Sequence, residues 1–184
     1  MTTRDLVLSA LFAALIVALG LIPAIPVGAL PVPITPQSLG VMLAGLILGP
    51  VRGGLAVALV VLLVVLGLPV LSGGRGGFGV VVGPTGGFLL GWFLGAVVTG
   101  ALVRRFAPGP WGWRETAWAV LACLLGGIGA VYALGIPWLA AVTGMGLSKA
   151  ALGSAVFVPG DVVKAVVAAL IARGVRRAYP MDLK

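Results

Sequence analysis

Histidine is absent from this chain, cysteine occurs once, and aspartate and glutamate together number four. The first absence removes the commonest general base and the commonest transition-metal ligand. A lone Cys123 excludes a disulfide within the chain and any cysteine metal cluster. With only Asp5, Glu115, Asp161 and Asp182 as acids, the raw material for an acid–base enzyme is thin. Charge of either sign is scarce, at 9% of residues, where a soluble domain carries roughly a quarter. Water would not keep such a surface in solution, whereas lipid tails would solvate it.

What the chain does have is apolar length. Hydrophobic residues make up 61% of its 184 positions, and the mean hydropathy is +1.24. A membrane span needs about 20 apolar residues, because the hydrocarbon core is about 30 Å thick and a helix rises about 1.5 Å per residue. Six stretches qualify as spans: Leu6–Ile22, Ser38–Leu48, Leu55–Leu71, Thr85–Val103, Thr116–Leu134 and Gly160–Ile171. The expected fold is therefore an all-α, six-helix membrane bundle, a single integral membrane domain over residues 1–184. The first run is read as a retained span rather than a signal peptide, since more apolar runs follow it. The second is short, so the segment before it, with Pro31, Pro33 and Pro36, is expected to complete the crossing or dip inward. Residues 135–154, with Pro137 and several glycines, read as a looser connection.

The net charge of +8 does not point to nucleic acid, because no basic stripe alternates with exposed aromatics. The basic residues sit between the apolar runs instead. With both termini cytoplasmic, the inside carries Arg4, Arg52, Arg104, Arg105, Arg114, Arg173, Arg176, Arg177 and Lys184, and the outside carries Arg75 and Lys149. That segregation follows the positive-inside rule and places the chain as a multi-pass protein of the cell (inner) membrane.

Against this apolar background a few polar residues stand out. Asp161 and Lys164 are three apart within the sixth span, so they share a helix face. Ionisable groups in a span face the bundle interior or a cavity, and mark a polar ligand site more often than a purely internal ion pair. A carboxylate accepts from N–H donors and an ammonium donates to oxygen, so a ligand with adjacent N–H and C=O groups satisfies both. Arg75 lies between two Gly-Gly pairs, where backbone can approach a ligand closely and the guanidinium can clamp a carboxylate; the alternative is a solvated loop arginine. Thr85 and Gly86 open the fourth helix, whose free N–H groups favour polar ligands or simply mark helix entry. Thr35 and Gln37 supply either ligand hydrogen bonds or turn chemistry. Apolar lining of such a pocket is expected from residues such as Phe78, Phe88 or Trp138. In the first span Ala10, Ala14 and Ala18 repeat every four residues, a spacing that lets helices pack closely, within the chain or against a membrane partner.

Four stretches together resemble the BioY family, the biotin-specific substrate-binding components of energy-coupling-factor transporters. They are Pro33-Ile34-Thr35-Pro36-Gln37-Ser38-Leu39, Gly73-Gly74-Arg75-Gly76-Gly77, Gly83-Pro84-Thr85-Gly86-Gly87-Phe88-Leu89-Leu90-Gly91 and Pro159-Gly160-Asp161-Val162-Val163-Lys164. The resemblance implies a six-helix bundle with a biotin pocket near the extracytoplasmic face. It implies Asp161 and Lys164 at the biotin head and Arg75 at the valerate carboxylate. It also implies docking through Ala10-x-x-x-Ala14 onto a transmembrane coupling subunit, with ATP hydrolysed by separate ATPase subunits. Neither catalytic residue, cofactor nor metal is implied. Another small vitamin or ureide-like solute is the alternative ligand.

Overall fold

The computed structural model describes residues 1–27, 30–109 and 111–179; Lys184, counted above among the inside charges, lies outside them. In chain order the elements are α1 (Thr3–Gly20), β1 (Ile25–Val27), β2 (Leu30–Ile34), α2 (Gln37–Val65), α3 (Phe78–Val82), α4 (Gly86–Phe106) and α5 (Trp113–Ala122). A π-helical stretch (Cys123–Ala130) then leads into α6 (Val131–Thr143), α7 (Leu147–Ser154), a 3-10 turn (Ala155–Phe157) and α8 (Val158–Ala178).

Among the described residues, five helical stretches are long and apolar enough to cross a membrane. One of them, α2, is two limbs. Gly49 takes φ 84° and ψ −175°, a conformation open to glycine and hostile to a side chain, and Pro50 restarts the helix at a position where its missing N–H costs nothing. The limbs fold back on each other: a Cβ on Gly53 would lie 2.8 Å from the Ala44 carbonyl. Gln37 at the start of α2 also hydrogen-bonds the chain just beyond its end, at Val70 and Ser72. The six expected crossings are thus six limbs, the second running only over 37–48, about 18 Å at about 1.5 Å per residue.

Both limbs of α2 form the centre of the bundle, and most of their residues are buried. The other spans wrap them, and each leaves large apolar side chains exposed on its outer face. On α1 the buried seam is Asp5, Ser9, Ala13, Ile16 and Gly20, while Leu6, Val7 and Leu11 are exposed. In a bilayer that exposed surface meets lipid, and small residues let helix backbones approach.

Three expectations are corrected. The proline-rich segment is a strand pair in an otherwise helical bundle: β1 and β2 form an antiparallel hairpin, Ile25 opposite Ile34, whose own Val32 is buried. Prolines are tolerated because a two-stranded hairpin has two edges needing no ladder donor. The fifth span does not end at Leu134 but stays helical from Trp113 to Thr143, through Pro137. Residues 147–154, read as loose, form α7 and join α8 in one long helical stretch.

One end of the bundle is basic. Arg52 donates from Nε to Asp5 Oδ1 at 2.7 Å, and Ser9 Oγ donates to the Arg52 carbonyl at 3.1 Å, tying α1 to the elbow of α2. Arg4 reaches the Tyr179 hydroxyl at 3.0 Å, Arg177 donates to the Trp111 carbonyl at 2.8 Å, and Arg173 stacks over the Trp113 ring 3.6 Å from its centroid. Arg75 and the hairpin lie at the other end, beside the start of α2.

Candidate functional site

Under the hairpin, at the end opposite the basic cluster, the elements line a cavity that is open at its mouth. Its walls come from the hairpin and the turn after it, the start of α2, the loop that follows α2, the first turns of α4, the π-helical stretch with α6, and the start of α8. Of the residues singled out from the sequence, Thr35, Gln37, Arg75, Thr85, Asp161 and Lys164 all line it. Residues up to 129 positions apart in sequence therefore meet in one space.

Two polar poles face an apolar middle. At the first, Asp161 sits in the opening turn of α8, where the helix dipole favours a negative charge. Its Oδ1 accepts from Lys164 Nζ at 2.9 Å and Ser38 Oγ at 3.4 Å, and its Oδ2 accepts from the Tyr132 hydroxyl at 2.7 Å. A carboxylate has about four acceptor positions, so three donors leave room for one more N–H. Lys164 spends its three donors on Asp161, Ser38 Oγ at 3.0 Å and the Thr35 carbonyl at 2.8 Å. The last of these bonds ties α8 to the foot of the hairpin. A ligand oxygen arriving here takes one of those N–H groups in exchange.

At the second pole, Arg75 is half-buried in the loop after α2. Its Nε donates to the Ser72 carbonyl at 3.2 Å, and its Nη1 lies 3.5 Å from Thr85 Oγ1. Burial lowers its pKa from the ordinary value, yet a guanidinium stays charged well above neutral pH. Two of five N–H groups are engaged by these contacts, which leaves a fork for an anionic oxygen. Phe88, Trp92, Phe157 and Leu71 line the space with the Tyr132 ring, and Phe88 meets Tyr132 edge-on at 6.2 Å. The site thus offers an acceptor with donors at one end, a cation at the other, and aromatic walls.

Four residues stand differently from the expectation. Gln37 touches the cavity, but its amide is filled by the protein. Nε2 donates to the Ile16 and Val70 carbonyls, both at 3.1 Å, and Oε1 accepts from Ser72 N at 3.0 Å and Ser72 Oγ at 3.3 Å. It clamps α1, α2 and the Arg75 loop together. Gly86 does not line the cavity; it lets α4 start against the Val81 carbonyl and the Trp138 ring. Trp138 donates to the Gly83 carbonyl at 2.9 Å and braces that same turn, while Phe78 is 63% exposed. Sequence reasoning passed over Trp92, Ser38 and Tyr132. For Tyr132 the signal was present: it is one of two tyrosines, and its hydroxyl falls inside a long apolar run. Ala10, Ala14 and Ala18 are all exposed on α1, on the face away from its buried seam.

The chain is similar over nearly its whole length to known proteins. The model of the BioY family matches residues 1–181. A biotin transporter BioY of Rhizobium etli is 58% identical over 182 residues, covering 98% of this chain and 97% of its own. A biotin transporter BioY of Rhodobacter capsulatus is 51% identical, again covering 98% and 97%. Among solved structures, the S-component for biotin from an ECF-type ABC transporter superposes with a TM-score of 0.88 at 33% identity, covering 100% of this chain and 97% of that one.

Proposed function

This chain belongs to the BioY family, and we propose that it is a membrane-embedded biotin-binding component that serves biotin uptake. The observation that carries the reading is the pairing of two poles across an apolar cavity. A ureido ring offers two N–H donors beside one C=O acceptor, matching Asp161 with the donors of Lys164 and Ser38. A valerate carboxylate at the far end matches Arg75 and Thr85, and the fused rings and alkyl chain match Phe88, Trp92 and Phe157. Thr35 contributes through its carbonyl, which holds Lys164 in place. The chain acts as one integral membrane domain with both termini cytoplasmic, since that orientation puts the basic end inside. The cavity then opens outward, where the vitamin arrives.

Transport beyond binding needs energy from elsewhere. The exposed Ala10, Ala14 and Ala18 offer a smooth helix face on which a transmembrane coupling subunit docks, and separate ATPase subunits hydrolyse ATP. Small side chains on an exposed helix face suit close helix–helix approach in lipid.

The test is biotin binding to the purified protein in detergent, by calorimetry or by tryptophan fluorescence, beside an Asp161→Asn variant. Losing a charge-assisted hydrogen bond costs about 1.5–3 kcal/mol, so the variant binds roughly 10- to 100-fold more weakly. Saturable native binding that survives unchanged in the variant keeps biotin and moves the polar contact elsewhere. A folded native protein that ignores biotin rejects it as ligand and directs the search to other ureide-like solutes.

A further inference from the structure

We infer that Tyr132 is the positioning residue that sets the plane of the Asp161 carboxylate, and that the π-helical stretch before it delivers it to that place. The inference rests on the biotin site proposed above and names a residue with which that site discriminates N–H-bearing rings.

The last torsion of an aspartate side chain is broad, so one hydrogen-bonded oxygen does not fix the carboxylate plane. Lys164 and Ser38 both bind Oδ1, and they leave the other oxygen free to swing. Tyr132 comes from a different helix and holds Oδ2 at 2.7 Å. With a donor on each oxygen the plane is determined, and the open acceptor position points in one direction. The Tyr132 ring cannot drift either, because Phe88 meets it edge-on. Asp161 is thereby aimed before a ligand arrives, and binding is spared the cost of ordering it.

The backbone explains how a tyrosine reaches that spot. The buried residues of α5 follow the ordinary helical spacing, Thr116, Ala119 and Ala122, and from the π-helical stretch onward a second row spaced by four, Cys123, Gly127, Val131, Gly135 and Leu139, carries the burial, with Gly126 beside it. In an ideal α-helix four residues turn about 400°, so a stripe of that spacing drifts by about 40° each step. The π-helical stretch Cys123–Ala130 has wider turns, which offset that drift and keep the stripe facing inward. Gly126 and Gly127 let the wide turns sit flush, with Gly126 against Thr99 and Gly127 against Met42. Thr99 Oγ1 donates to the Ala122 carbonyl at 3.3 Å, where the α-type ladder gives way. Val131 and Tyr132 follow immediately, and both line the cavity.

Tyr132→Phe removes the hydroxyl and keeps the ring. The probes are biotin and biotin methylated on a ureido nitrogen, titrated into the native protein, Tyr132→Phe, Asp161→Asn and the double variant, with melting temperatures recorded alongside. Ordering one side chain costs about 0.5–1.5 kcal/mol, so Tyr132→Phe is expected to bind biotin roughly 3- to 10-fold more weakly. Its preference for biotin over the methylated ring narrows. In the Asp161→Asn background the same substitution changes nothing, because Tyr132 acts through Asp161. Equal biotin affinity and an equal preference in Tyr132→Phe overturn the inference while leaving the biotin site standing. So does a loss that is as large in the Asp161→Asn background as in the native one, since that is what a merely packing tyrosine gives. Native protein that binds neither probe overturns the biotin site and this inference together.

Discussion

Replacing Gln37 by leucine separates a ligand contact, which the sequence left open beside turn chemistry, from the structural clamp that the fold shows. The side chain is 1% exposed, and its amide makes four hydrogen bonds. A leucine of similar size fills the space and makes none of them. Ser72 Oγ can turn to another acceptor, and the Ile16 carbonyl keeps its helical partner within α1, but the Val70 carbonyl and the Ser72 N–H are backbone groups that cannot move away. A buried backbone group left unpaired costs about 1–3 kcal/mol, so the two together put the loss at about 2–6 kcal/mol. For a chain of this size each kcal/mol lowers the melting temperature by about 2–4 °C, which makes a drop of at least about 4 °C the expected result. The assay is thermal unfolding in detergent, followed by tryptophan fluorescence, with and without biotin. Biotin at saturation recovers part of the drop, because binding to the folded state alone stabilises it. A melting temperature within about 2 °C of native, combined with a biotin affinity more than about 10-fold weaker, would refute the clamp and return Gln37 to the ligand.

Arg75→Met keeps the loop's apolar reach and removes the cation. Biotin affinity is expected to fall roughly 10- to 100-fold while a neutral biotin amide binds both proteins alike, and calorimetry with the two ligands distinguishes a carboxylate contact from a loop effect. Gly100→Ala places a methyl group against the Gly49–Pro50 peptide at the elbow of α2. Overpacking there costs about 1–3 kcal/mol and lowers the melting temperature by roughly 2–12 °C, with biotin affinity of the folded protein unchanged because the elbow lies at the far end from the cavity. An unaltered melting temperature would mean that the elbow can open to admit the methyl group.

The class of fold was legible in the chain because lipid imposes a one-dimensional rule. Apolar length measures a span, and the placement of arginines between spans separates the two ends, whatever the packing. Asp161, Lys164 and Arg75 were legible for a related reason: in a chain with so few charges, an ionisable residue within a span or between glycine pairs stands out without any knowledge of its neighbours. The tertiary structure decided what those residues meet. The second span looked too short and the third separate, yet both belong to one element, because Gly49 reverses the chain in a single residue and no periodicity reports a φ of 84°. Gln37 was open to ligand hydrogen bonds or turn chemistry, and the fold supplies its amide with four hydrogen bonds from the protein itself. Gly86 looked like a helix mouth, and the approach of Val81 and Trp138 made it a packing position. Tyr132 drew no notice in the sequence, and the fold places its hydroxyl on Asp161, 29 positions away. The spans and the separation of charge to one end follow from how each segment meets its solvent, and the sequence determines them alone. Which polar groups share a hydrogen bond depends on contacts between segments distant in the chain, and only the folded bundle decides that.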